Sequence, residues 1–145
     1  MAKAIIISKH GGPEVLELKD VELRPPEPNE VLIRHVGIGL NYIDVYHRTG
    51  LYPVNLPSGI GAEGAGIIKE VGRDVQNFQV GDRVSYSGSP LGAYSSQRIL
   101  HTKDLLKVPP KIDLEVAATL MIKGLTAYYL SVSYTHLTLP TILLV

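Results

Sequence analysis

Between Gly37 and Gly66 the chain never runs far without a residue that breaks regular structure: Gly37, Gly39, Gly50, Pro53, Pro57, Gly59, Gly61, Gly64 and Gly66. Glycine lets the backbone turn tightly or approach another group closely, and proline removes a ladder donor. No long helix or central strand fits such a stretch, so it must be loops and short elements carried by more regular flanks. Those flanks are short β-branched runs. Lys3 to Ser8 closes at the turn signal His10-Gly11-Gly12-Pro13, and Leu16-Glu17-Leu18-Lys19 alternates with period two. Val31 to Ile38 reads as strand, with Gly37 and Gly39 marking a bulge near its end. Gly66 to Gly72, the run ending at Val84, and Ala93 to Leu100 add further strands. Arg24 to Asn29, Leu51 to Ile60 and Ser87 to Gly92 read as loops. Short strands at close spacing predict a mainly β fold, a barrel or a sandwich, with short helices.

Two places promise helix. Asn41 can cap one, with Asp44 in its first turn and Gly50 as its stop. After Pro109-Pro110, Asp113 can cap another, whose Val116, Ala117, Leu120 and Met121 share a face. A second helix is expected from about Leu125. No Asp, Glu, Lys or Arg occurs from Gly124 onward, and Ser131 to Pro140 carries too many hydroxyls for a membrane span. That run also lacks helical periodicity, so residues 131–145 read as a non-native tail, disordered or loosely docked.

Composition narrows the chemistry. Lysine plus arginine and aspartate plus glutamate both number 14, without a dense basic cluster, which argues against a nucleic-acid surface. The absence of cysteine removes disulfides, thiol nucleophiles and Cys-ligated zinc, and suits a reducing cytoplasm. The N-terminus has no signal-peptide pattern. His10, His35, His47, His101 and His136 are scattered, so no metal set is expected. Gly59-Ile60-Gly61-Ala62-Glu63-Gly64 matches the dinucleotide fingerprint letter for letter. A true fingerprint follows a strand and opens a helix, whereas here Pro57-Ser58 precedes and an apolar run follows. The match is a decoy, although Asp82 lies near the spacing of a ribose acid.

A series of motifs runs in register along most of the chain: His10-Gly-Gly-Pro-Glu-Val-Leu16, Gly39-Leu-Asn-Tyr-Ile-Asp44, Arg48-Thr-Gly-Leu-Tyr-Pro53, Leu56-Pro-Ser-Gly59, Gly81-Asp-Arg-Val84, Leu91-Gly-Ala-Tyr-Ser-Ser96 and Lys123-Gly-Leu-Thr-Ala-Tyr-Tyr129. In these the chain resembles the zinc-independent quinone oxidoreductases of the medium-chain dehydrogenase/reductase superfamily, the ζ-crystallin-like branch. The resemblance implies a GroES-like β-barrel over residues 1–123, the start of a Rossmann domain at 124–130, and the remainder of that domain missing. It implies transfer of a hydride or electron from NADPH to a quinone without a metal, and a cytoplasmic, homodimeric parent enzyme. Zinc-dependent relatives carry His-Glu where this chain has Ala62-Glu63. A quinone delocalises incoming charge into an aromatic hydroquinone, so placement and a few hydrogen bonds can replace a Lewis acid.

The resemblance sets Asn41, Tyr42, Ile43, Asp44, Val45 and Tyr46 against the nicotinamide, with Asn41 and Asp44 placing the ring or relaying a proton. It gives Lys123, Thr126 and Tyr129 contacts to the cofactor ribose and phosphates, and it places Tyr46, Tyr52 and Glu63 by the substrate. Each has a plainer account. Asn41 and Asp44 also make a helix cap, and both can hold. Tyr42 reads as packing, Tyr46 and Tyr52 as edge aromatics, Glu63 as an acceptor for loop amides, and Lys123 as a solvated lysine. Two other functions stay open: reduction of activated carbon–carbon double bonds on the same scaffold, and a non-enzymatic barrel module. The chain as it stands is expected to be inactive, since its one fingerprint is the decoy.

Overall fold

The computed structural model describes residues 1–88 and 90–134. Its strands are β1 (Ala2–Ile7), β2 (Glu17–Val21), β3 (Glu30–Gly39), β4 (Ser58–Gly59), β5 (Glu63–Val71), β6 (Arg83–Ser87), β7 (Gln97–His101) and β8 (Leu106–Lys107). The helices are α1 (Tyr42–Thr49) and α2 (Leu114–Tyr129), with single 3-10 turns at Pro13–Val15 and Thr102–Asp104. Every strand pairing is antiparallel: one sheet runs β2-β1-β4, and a larger one runs β7-β3-β5-β6-β8. The fold is therefore mainly β with short helices, as the turn chemistry predicts.

It is not a single closed barrel. The two sheets meet along β1, where Ala4 bridges Ser95 and the Ile5 amide donates to the Tyr94 carbonyl at 2.8 Å. The expected strand Ala93–Leu100 is only half realised for the same reason. Gly92, at φ +122°, turns the chain out of extended geometry, and the Ala93 and Tyr94 amides donate to the Gly61 and Ile60 carbonyls. Only Gln97–His101 is left to pair with β3. β5 starts earlier than expected, at Glu63 rather than Gly66, because the glycine-rich run pairs with the bulged end of β3 on one side and with β6 on the other.

The central core is Val31, Ile33, Ile68, Val84 and Leu100, all buried between sheet and loops; each such side chain contributes about 1.5–3 kcal/mol of burial. Helix α2 packs across β3 and β5 through Leu114, Ala117 and Ala118. This corrects the expected face: Val116 and Leu120 point outward. Small residues win the contact because the helix comes close enough that a Cβ on Gly37 would lie 2.9 Å from the Ala118 methyl. A break before Leu125 does not occur either. The helix runs through Gly124 without interruption to Tyr129, followed by a π-helical turn at Leu130–Tyr134. Most of the expected tail, residues 135–145, lies outside the described residues. Among the described residues no helix is long and apolar enough to cross a membrane.

Candidate active site

The end of β3, the start of β5 and helix α2 converge on one carboxylate. Glu63 is 0% exposed. Its Oε1 accepts from Asn41 Nδ2 at 2.9 Å and from Lys123 Nζ at 3.2 Å, and its Oε2 accepts from the Ile122 amide at 2.8 Å. Lys123 Nζ also donates to Asn41 Oδ1 at 3.0 Å. A charge with no exposed surface needs this many donors, since an unpaired buried carboxylate is prohibitively costly. Space for it comes from Gly39, paired with Glu63 in the ladder; a Cβ there would meet the Glu63 side chain at 2.3 Å and the Ala118 carbonyl at 2.5 Å.

Asn41 is the N-cap of α1, in extended geometry, and its amide donates to Asp44 Oδ2 at 3.0 Å. Tyr94, from the irregular segment before β7, donates its hydroxyl to the same oxygen at 2.8 Å. Burial, then the Asp44 carboxylate, pushes the Tyr94 phenol far above its ordinary range. The tyrosine therefore stays a donor at any working pH. The helix closes at Gly50 with φ +85°, the left-handed stop expected from sequence. Asp44 Oδ1 and His47 Nδ1 are the buried side-chain atoms left without a partner among the described residues.

A cleft of about 440 Å³ opens beside this network, walled by Asn41, Tyr42, Ile43, His47, Ala62 and Ile122 together with the Ser87–Gly88 turn. Its size is typical of small-molecule sites, and its walls are mostly apolar with a few polar groups, a form suited to an aromatic ring. Tyr42 is 72% exposed at the cleft wall rather than packed inside. From it an aromatic series leads away: Tyr42 meets Tyr46 edge-on at 5.2 Å, and Tyr46 meets Tyr52 at 5.3 Å. His47 in turn lies 6.0 Å from Tyr52.

The structure thus joins Asn41, Asp44, Glu63 and Lys123 in one connected set. Glu63 lies beneath the cleft floor as an inner support, where sequence placed it by the substrate. Thr126 turns its hydroxyl back to the Ile122 carbonyl at 2.6 Å, and Tyr129 is exposed near the end of α2. Tyr94 was not among the sequence candidates, because its partner Asp44 is fifty positions away and no local pattern links them. The decoy fingerprint leads into strand β5, and Asp82 pairs with Lys107 at 2.8 Å. Among the described residues no group of three or more His, Cys, Asp or Glu side chains is gathered where it could hold a metal ion.

Comparison with known proteins places this geometry in context. The profile of the alcohol dehydrogenase GroES-like domain matches residues 27–139. The chain is 53% identical over 131 residues to a quinone oxidoreductase of Pseudomonas aeruginosa, a match spanning 90% of this chain and 40% of that protein. It is 41% identical to a 2-haloacrylate reductase of Burkholderia, across 90% of this chain and 41% of that one. The crystal structure of Escherichia coli quinone oxidoreductase complexed with NADPH superposes with a TM-score of 0.86 at 45% identity, covering 90% of this chain and 40% of that one. The chain spans about 40% of the length of these relatives.

Proposed function

The chain belongs to the alcohol dehydrogenase GroES-like domain family, and from that premise we propose that it is the substrate-side part of an NADPH-dependent quinone reductase working without zinc. One observation carries the reading: Asn41 is held between Glu63 and Lys123 at the wall of a ring-sized cleft, with hydrogen-bonding capacity to spare. A helix cap alone does not call for a buried carboxylate and a lysine behind it. The similarity to quinone oxidoreductases supports the choice of substrate.

The cofactor, when bound, supplies the hydride. What this chain contributes is placement. Asn41 to Tyr46 form the wall against which the nicotinamide lies, and Thr126 and Tyr129 belong to the cofactor's ribose side. Asn41 offers an N–H to the oxygen on which negative charge grows, a donor fixed in place before the reaction. Tyr94 and Asp44 hold the first turn of α1, so that Asn41 does not drift. Tyr42 and His47 line the cleft, and Tyr46 and Tyr52 pack behind them as an aromatic support. Ala62 offers no side-chain donor to a metal, and a quinone does not require one.

The test joins this chain to the remaining length of the E. coli relative and follows loss of NADPH absorbance with a simple benzoquinone. Turnover with the quinone is expected. Asn41→Ala in this chimera should cost tenfold or more in kcat, about 1.4 kcal/mol or above, while loss of its hydrogen bonds to buried Glu63 and to Lys123 lowers stability by about 1–3 kcal/mol. A folded chimera that oxidises no NADPH with any simple quinone would defeat the proposal. The likeness to the 2-haloacrylate reductase favours a second reading, reduction of an activated double bond. Turnover confined to 2-haloacrylates would select it.

A further inference from the structure

We propose that Glu63 and Lys123 are positioning residues that lock the rotation of the Asn41 side-chain amide and thereby set which of its atoms faces the cleft. The inference deepens the reductase reading and rests on it. An ammonium only donates and a carboxylate only accepts. With Lys123 Nζ at 3.0 Å from one end of the amide and Glu63 Oε1 at 2.9 Å from the other, the oxygen must face the lysine and the nitrogen the glutamate. The reverse rotamer would set oxygen against carboxylate and NH₂ against ammonium. Lys123 and Glu63 also bind one another at 3.2 Å, so the three side chains close a ring. Glu63 is held in place, since its other oxygen is tied to the Ile122 amide and its stem lies close against Gly39.

One N–H of Asn41 is then free, in a fixed orientation, at the cleft wall. Lys123 has spent two of its three donors on this ring. Its charge compensates a fully buried carboxylate, so it is not at liberty to bind a cofactor phosphate. The geometry therefore moves Lys123 from the cofactor side, where resemblance puts it, to the support of Asn41.

These two roles separate in a kinetic and binding experiment on the chimera. Lys123 is 53% exposed, and Glu63 keeps its bonds to Asn41 and the Ile122 amide, so Lys123→Met should fold with reduced stability, which thermal unfolding checks. We expect kcat with benzoquinone to fall about tenfold while the Kd for NADPH, read by fluorescence titration, stays within about twofold. Lys123→Arg should restore part of kcat. Asn41→Ala combined with Lys123→Met should be no slower than Asn41→Ala alone, because both remove one device. The 145-residue chain gives a readout independent of turnover: the two Asn41 side-chain NH₂ protons in ¹H–¹⁵N spectra, distinct in any case because the amide C–N bond rotates slowly, should sit far from the shifts of a solvated amide in the wild type and move toward them in Lys123→Met. A Lys123→Met protein with NADPH Kd raised tenfold at unchanged kcat would overturn the proposal in favour of a phosphate contact. Unchanged kcat, Kd and NH₂ signals would overturn it in favour of a surface lysine. If the unmodified chimera reduces no quinone, the function reading fails, and the NH₂ signals still decide whether the lock exists.

Discussion

His35 shows how far one residue's surroundings decide its chemistry. Its Nδ1 lies 2.6 Å from the Ser95 carbonyl, which can only accept, so Nδ1 carries the proton. Nε2, 2.7 Å from the Tyr86 hydroxyl, then accepts from it. Burial drives the imidazole down to about 4, against a smaller opposing pull from the Ser95 bond. In the unfolded chain the same group titrates near ~6.5, so between these values the unfolded state holds more protons. The stabilisation is complete above ~6.5 and is lost as pH falls toward 4, amounting to about 2–3 kcal/mol. Urea unfolding across that window should show it as a slope that His35→Gln removes. Glu30, held down to about 2 chiefly by its hydrogen bond with Arg24, adds its own loss only at lower pH. A slope surviving intact in His35→Gln would assign the effect elsewhere.

Among the elements, β3, β5 and α2 meet closely, and Gly39 sits at their junction. Gly39→Ala must displace either the Glu63 side chain or the α2 backbone at Ala118. Overpacking of this kind costs about 1–3 kcal/mol, measurable by thermal unfolding of the chain, and it should lower turnover of the chimera as Lys123→Met does. Unchanged stability would mean that α2 can ride outward freely. This junction also marks what the sequence can and cannot reveal. The strands and α1 were legible because Asn41, Asp44, Gly50 and the β-branched runs are local signals. That the sheets stay two rather than closing into one barrel was not, since it depends on the irregular segment at Gly92 to Ser96 and its long-range bonds. The buried face of α2 was misread because volume matters there: hydrophobic periodicity favours Val116 and Leu120, whereas the close approach to Gly37 admits only alanine. The site residues Asn41 and Asp44 could be named from motif, but the ring with Glu63 and Lys123 spans 82 positions of chain and needs the fold to exist.

At the scale of the whole molecule, the polar ring at Asn41 and the aromatic series from Tyr42 adjoin the same cleft. A dinucleotide is held chiefly through its pyrophosphate, which requires successive amides at a helix N-terminus. Here the fingerprint-like run from Gly59 to Gly64 leads into strand β5 rather than a helix, so it presents no row of helix N-terminal amides to a phosphate. Lys123 gives two of its donors to Glu63 and Asn41. Contacts to the nicotinamide end alone must then offset an association cost of at least ~4 kcal/mol. The 145-residue chain by itself is accordingly expected to bind NADPH with a Kd weaker than ~100 μM and to turn over no quinone, since donor and acceptor must be held ~3–3.5 Å apart. Fluorescence titration of NADPH into the purified chain measures this directly. Saturable binding tighter than ~100 μM would show that the α1 wall and the end of α2 grip the cofactor without an opposing surface.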